Sequence, residues 1–219
     1  NISLEEDSCK IISNSGDQRV YRLDRLGIPL IEIGTAPDII SPEQCQEVAK
    51  KLGGLLRSLP GVKRGLGTIR QDVNVSIKGG NRVEIKGAQD LRQLPLLVEY
   101  EIRRQGELLK IKDDLRKSKL VVLKIIDVTK IIQASASKII TSALEKNGKI
   151  LGMKLNGFKG LIGRELMPGY RLGTEFSGRA KVIANVGGII HSDEYDRNAP
   201  QKYGLTTEMI QQLETALKI

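Results

Sequence analysis

Hydrophobic and polar residues alternate most clearly over residues 70–77, where Arg70, Asp72, Asn74 and Ser76 take one face of an extended strand and Val73, Val75 and Ile77 the other. The alternation resumes over residues 82–86, with Arg82, Glu84 and Lys86 opposed to Val83 and Ile85, and Gly79, Gly80 and Asn81 supply a turn between the two strands. A three-residue loop pairs Ser76 with Glu84 and Asn74 with Lys86 and keeps the apolar face whole, so that register is expected. Upstream, residues 20–23 and 29–33 read as short strands. Ser41-Pro42-Glu43-Gln44 then offers an N-cap, a proline at the first helical position and a Gln three residues after the cap. A helix should run from there to about Leu59, with Val48, Leu52, Leu55, Leu56 and Leu59 on one face and Pro60-Gly61 as its stop. A second long helix should start near Pro95 and turn Leu97, Val98, Ile102 and Leu109 inward.

Past a charged stretch at residues 112–119, which suits either a surface linker or a solvated helix extension, the pattern changes. Residues 120–128 are rich in β-formers, 131–144 read as a helix with Gly148 just beyond, 149–155 are extended, and 206–217 place Met209, Ile210, Leu213 and Leu217 on one helical stripe. The expectation is an α+β chain in two parts, residues 1–118 and 119–219, without an internal repeat. The chain opens on Asn1 and closes two residues after its last helix without a Gly or Asn cap, which reads as an interior fragment.

At 219 residues and 40% hydrophobic content the chain can bury a core. Its apolar runs are far shorter than the roughly 18 residues of a membrane span, and no leader peptide is recognisable, so a cytoplasmic protein is expected. Cys9 and Cys45 have no metal-site spacing and only His191 to join them, which argues against a disulfide framework or a structural zinc. A single histidine also disfavours His-based acid–base chemistry. Thirty-five basic against 26 acidic residues make a polyanion such as RNA a reasonable partner, while 3% aromatics leave little for stacking on bases.

The 70–86 hairpin gathers Arg70, Asp72, Asn74, Glu84 and Lys86 on one surface, a set able to hold Mg²⁺ and neutralise phosphate oxygens, although any half-solvated sheet shows a polar outer face. Gly61, Gly65 and Gly67 with Lys63 and Arg64 form a basic loop that could approach a phosphate. Glu5-Glu6-Asp7 and Glu32, the latter inside the apolar run 28–33, are further carboxylates; Glu32 either faces solvent or is kept for metal or proton chemistry. In the second part, Gly157, Gly160 and Gly163 with Arg164, Arg171 and Arg179 fit contacts to an RNA backbone as well as they fit ordinary turns and solubility.

Five ordered strings extend the reading: residues 3–10 (SLEEDSCK), 25–33 (RLGIPLIEI), 36–39 (APDI), 67–76 (GTIRQDVNVS) and 82–87 (RVEIKG). Together they resemble the successive motifs of the kinase-type B/E subunits of tRNA-dependent amidotransferases. Residues 166–173 (LMPGYRLG) and 187–194 (GGIIHSDE) are similar to the inserted domain of the archaeal E-type branch, itself similar to one in bacterial-type aspartyl-tRNA synthetases. A synthetase fragment alone would leave residues 1–118 unexplained.

The resemblance implies part of a mixed-sheet kinase cradle followed by the α+β insertion domain. It implies ATP- and Mg²⁺-dependent phosphorylation of the glutamate side chain on Glu-tRNA(Gln), then amidation with ammonia from an asparaginase-like D-type partner in a heterotetramer. It carries the family's metal-binding carboxylates to Glu5, Glu32 and Asp72, with Glu6 a neighbour, and makes Asp72, Arg70 and Lys86 catalytic candidates. Asn74, Lys63 and Arg64 become candidates for ATP or acyl-phosphate contacts. The family's amino-terminal His-containing metal motif, its helical tail and the zinc-binding cysteines of some bacterial relatives are not in this sequence. A non-catalytic tRNA-binding or assembly module is therefore the alternative.

Overall fold

The computed structural model describes residues 1–118, 124–195 and 203–219, and these form two compact units, Asn1–Gly65 and Leu66–Ile219. The folding class is α+β, with helices accompanied by small two-stranded antiparallel ladders.

In the first unit β1 (Ile2–Glu6) pairs with β4 (Pro29–Ile33), and the chain between them folds into a hairpin of β2 (Lys10–Ser15) and β3 (Gln18–Arg22). Ser15 faces Gln18, so Gly16 and Asp17 make a two-residue turn, and Gly16 takes the positive φ (+55°) that such turns favour. Asp7 fixes the corner after β1. Its buried carboxylate accepts from Arg25 Nε at 2.7 Å and from the Ser8 amide at 3.1 Å, while its backbone N–H donates to Ile28 O. Helix α1 (Pro42–Ser58) starts as the sequence indicates: Ser41 Oγ accepts from Gln44 N at 3.1 Å, and Gln44 Oε1 accepts from Ile40 N at 2.7 Å, relieving amides at the helix entry.

The second unit opens with β5 (Val73–Val75) and β6 (Val83–Ile85), passes through a short 3₁₀ turn at Leu91–Gln93, and enters α2 (Leu94–Lys117). Beyond residues 119–123, where part of the strand expected over 120–128 lies outside the described residues, come β7 (Ile126–Asp127), α3 (Thr129–Ile132), α4 (Lys138–Glu145) and β8 (Leu151–Gly152). β9 (Glu165–Met167), β10 (Tyr170–Arg171), α5 (Leu172–Ala184) and α6 (Thr207–Leu217) complete it. Among the described residues, two apolar clusters hold this unit. Val128, Ile132 and Ile140 pack with Leu144, Ile150, Met209 and Leu213, and Ile111 of α2 packs with Leu166 and Leu172 under Leu108, Leu115 and Phe176.

Two local expectations are corrected. The helix expected over 131–144 is two helices, because Ser135 and Ser137 are buried between them: Ser135 Oγ donates to Gly204 O at 2.8 Å and accepts from Ser137 N at 3.1 Å, bonds that compete with a continuous helix. On α2 the inward stripe runs Leu94, Val98, Glu101, Gln105 and Ile111, whereas Ile102 is 39% exposed. Polar side chains hold inward positions there because each finds buried partners. The last helix, which the sequence leaves without a Gly or Asn cap, ends on Lys218 in the left-handed region, its N–H donating to Glu214 O and Thr215 O.

Candidate active site

The β5–β6 hairpin keeps the expected division of faces. Asp72, Asn74 and Ser76 on one strand and Arg82, Glu84 and Lys86 on the other are exposed, while Val75 is buried and Val73, Ile77, Val83 and Ile85 are partly so. Arg70 also lies exposed just before the strand. The register differs from expectation by two residues: Asn74 pairs with Glu84, Val73 with Ile85 and Val75 with Val83. Pairing stops at Val75 because Ile77 turns its carbonyl to Gly80 N (2.9 Å) in a turn through Gly79, at φ +82°. A shift of two preserves side-chain parity, so the polar set survives the correction.

On that face Lys86 Nζ stands 3.0 Å from Glu84 Oε2 and 3.5 Å from Asp72 Oδ2, and Asp72 Oδ1 accepts from Gly87 N at 2.9 Å. Lys86 is held above its ordinary pKa, first by its hydrogen bond to Glu84 and then by the charges of Glu84 and Asp72. The arrangement is two carboxylates joined through one ammonium on open surface. Its flanks are tied by Gln71, whose side-chain amide donates to Ala88 O.

Beneath the face lies a polar chain, buried at Glu101 and Gln105, that sequence reasoning missed. Gln105 Nε2 donates to Val75 O at 3.1 Å and to Glu101 Oε1 at 2.8 Å, and Gln105 Oε1 accepts from Ile77 N at 3.3 Å. Glu101 in turn accepts two bonds from Arg104, whose third reaches Glu175 of α5 at 3.1 Å; Tyr170 and Arg179 also donate to Glu175. The available signal was a polar pair spaced by four at positions where the α2 stripe demands burial.

Within the first unit, Ser3 pairs with Glu32 and Glu5 with Leu30, which puts Glu5 and Glu32 on one face of the β1–β4 ladder as diagonal neighbours, roughly 7–8 Å apart at Cα. Glu32 is exposed and accepts from Ser3 Oγ at 3.3 Å, whereas Glu6, facing Pro29, belongs to the other face. Lys63 and Arg64 lie exposed after α1, and Arg64 donates to Arg57 O at 2.8 Å, sealing the helix end. The structure thus brings Asp72, Asn74, Glu84 and Lys86 together in the second unit and Glu5 with Glu32 in the first. Within either unit, among the described residues, no three His, Cys, Asp or Glu side chains form a metal-holding group.

The arginines considered for RNA contact are each ion-paired: Arg164 to Glu107 and Asp114, Arg171 to Glu194, and Arg179 to Glu175. His191 Nε2 takes the space that a Cβ at Gly173 would need, and its Nδ1 is buried without a hydrogen-bond partner among the described residues. No helix among the described residues is long and apolar enough to cross a membrane.

Comparison with known proteins places these features in a lineage. Residues 1–209 match the family model described as the GatB/GatE catalytic domain. The E subunit of glutamyl-tRNA(Gln) amidotransferase from Methanocaldococcus jannaschii is 54% identical over 215 residues, covering 97% of this chain and 33% of that protein. The proteins of the same name from Pyrococcus furiosus and Sulfolobus acidocaldarius are 51% and 50% identical, each over 100% of this chain and 34% and 35% of their own lengths. This chain therefore spans about a third of the curated relatives it matches. A match over residues 1–209, which takes in both the hairpin and the polar chain beneath it, establishes that the chain belongs to the GatB/GatE catalytic domain family.

Proposed function

We propose that this chain forms the carboxylate-activating part of a cytoplasmic tRNA-dependent amidotransferase. Residues 1–118 are read as part of the kinase-type cradle and 119–219 as an insertion domain similar to that of bacterial-type aspartyl-tRNA synthetases. The substrate is Glu-tRNA(Gln). ATP transfers its γ-phosphoryl group to the glutamate side chain, and ammonia from an asparaginase-like D-type partner attacks the carbonyl carbon, expelling phosphate and leaving Gln-tRNA(Gln).

The chemistry explains why activation is needed. A carboxylate is a poor electrophile because its leaving group would be an oxide; phosphorylation to an acyl phosphate, a mixed anhydride, makes that oxygen part of a good leaving group, phosphate. Phosphoryl transfer itself depends on positioning and on offsetting charge rather than on a histidine base. The observation that carries the reading is the convergence of Asp72, Glu84 and Lys86 on one exposed face within the family-matched stretch.

Asp72 and Glu84 are hard oxygen donors of the kind Mg²⁺ takes in ones and twos while keeping waters and phosphate oxygens, so the donor set fits that ion. Bound there, Mg²⁺ would supply charge neutralisation at the transferring group. Glu5 and Glu32 are the further carboxylates assigned to metal. Lys86, on a flexible and exposed stem, can exchange Asp72 for a phosphoryl oxygen, since its 3.5 Å contact there is the looser of its two. Arg70 and Asn74 are assigned to ATP or the acyl phosphate, and Lys63 and Arg64 to the nucleotide's phosphates.

The test is phosphate release from ATP by a full-length protein carrying this sequence, with its asparaginase-like partner and Mg²⁺, on Glu-tRNA(Gln) and on uncharged tRNA(Gln). Release should require the glutamyl ester and fall by about 100-fold in Asp72→Asn. Release indifferent to both would favour the second reading, a tRNA-binding or assembly module. That reading draws on the charge of residues 66–219, where 26 basic face 17 acidic residues, and it calls for tRNA affinity that falls steeply with salt.

A further inference from the structure

Gln105 is 4% exposed, on a helix that buries Leu94, Val98 and Ile111 along the same stripe with Glu101 as the other polar residue there. A side-chain amide in such a place is costly unless its donors and acceptor are met. It meets three groups, and two of them are the backbone atoms at which β5 leaves its ladder: Val75 O and Ile77 N. Val75, opposite Val83, is the last paired residue of the ladder, and Ile77 lies beyond it, where the chain turns at Ile77–Gly80. One side chain from α2 therefore ties the last paired residue of β5 to the first residue of the turn. The fit is close, since a Cβ at Gly80 would overlap Gln105 Oε1.

The third bond decides which way the amide points. Glu101 presents a carboxylate to Gln105, so the NH₂ end must face Glu101 and Val75 O, and the oxygen must face Ile77 N–H. Glu101 is itself fixed by two bonds from Arg104, and Arg104 by Glu175. Asp72 and Asn74 project from the strand whose end is clamped in this way, so a rotation about Val75–Ile77 would swing them relative to Glu84 and Lys86.

We propose that Gln105 is the positioning residue of the Asp72–Asn74–Glu84–Lys86 face, with its amide orientation set by buried Glu101 and the partly buried Arg104–Glu175 pair that holds it. This rests on reading that face as the phosphoryl-transfer surface. Gln105 touches no reacting atom; it acts through the backbone of β5.

The discriminating variants are Gln105→Met and Gln105→Glu in a full-length protein with its asparaginase-like partner, measured for ATP-dependent phosphate release on Glu-tRNA(Gln). Methionine keeps the length and loses every bond, so kcat should fall about tenfold, in line with the sensitivity of transfer reactions to small misplacements. Exchange of the Ile77 amide should speed up alongside. Glutamate gives a sharper readout. Protonated, it can accept from Ile77 N–H and donate to Val75 O or Glu101; ionised, it faces the Glu101 carboxylate and Val75 O with no donor. The charged groups about the position are Glu101 and Arg104 of α2 and, beyond Arg104, Glu175 of α5, while the hairpin offers backbone. Burial next to Glu101 raises the introduced group's pKa. The Gln105→Glu to wild-type ratio of kcat should therefore climb as pH falls from about 8 to about 6, and the Gln105→Met ratio should stay flat.

A flat Gln105→Glu ratio, or full kcat in Gln105→Met with the Ile77 amide exposed to exchange, overturns the proposal. Should Gln105→Met not fold, the pH ratio of Gln105→Glu decides alone. Asp72→Asn run in parallel separates the two levels: if it too is active, the reading of the face has failed, and if it is inactive while both Gln105 variants behave as wild type, the positioning role has failed.

Discussion

The two units are built on opposite principles. Residues 1–65 carry nine basic and nine acidic side chains and bury only Asp7, Cys45 and Gly53 among the described residues; residues 66–219 carry the whole net charge of +9 and enclose two apolar clusters. The first unit is not short of apolar residues. Ile2, Leu4 and Ile31 line one face of the β1–β4 ladder, yet each remains more than half exposed, because a two-stranded ladder has no second layer to cover it. Its order rests on ladder bonds, caps and the Asp7–Arg25 pair. Apolar content and burial are thus separate properties, and the same side chain should have very different weight in the two units.

The largest effect expected is at Leu166, which is fully buried against Ile111 and Leu172: Leu166→Ala should cost about 2–5 kcal/mol in denaturant melts of the chain, with the cavity term deciding where in that span it falls. A value near zero would mean that this cluster is no core and would erase the contrast. Next comes acid. Burial pushes Glu175 up, but hydrogen bonds from Arg179 and Tyr170 and the charge of Arg104 outweigh it and leave the carboxyl below its ordinary range; Glu107 is lowered too, first by Lys110. A depressed folded pKa contributes stability that is present above the unfolded value, about 4.3, and disappears as pH drops through the folded one. Denaturation midpoints followed from about pH 6 to pH 3 should decline, and Glu175→Gln should start lower and decline less; parallel curves would remove Glu175 as a cause. The smallest effect belongs to Leu4→Ala, at a side chain 76% exposed, where a change within about 0.5 kcal/mol is expected from the same melts. A cost of several kcal/mol there would show that the open face is in fact packed.

Local chemistry made part of this legible. Ser41, Pro42 and Gln44 announced α1 because an N-cap, an N1 proline and a returning amide act within one turn, and the alternation over 70–77 announced a polar face because strand geometry alone sets it. The register of the hairpin was not legible, since the alternation that sets its faces is unchanged by a shift of two, and one bond at its end comes from Gln105, 28 residues beyond Ile77 in sequence. For the same reason Gln105 could not be assigned to the interior: two of its three partners are backbone groups at Val75 and Ile77. The break at Ser135–Ser137 likewise depends on Gly204, 69 residues away from Ser135. At Gln105 and at Ser135 the deciding contacts come from far along the chain, which no local pattern announces.

Helix α2 has a consequence for the order in which the protein is made. Its first half is clamped to β5, which precedes it in the chain, but Leu108, Ile111 and Leu115 in its second half pack on Leu166 and Leu172. From the moment Ser118 is synthesised the ribosome must add 54 more residues to reach Leu172, roughly 3–11 seconds at about 5–20 residues per second. During that interval the front of α2 and the hairpin can already assemble, whereas Arg104 and the lower leucines wait for partners still in the tunnel or not yet translated. A codon-level slowdown between 118 and 172 would lengthen that exposure without altering a single residue of the finished fold.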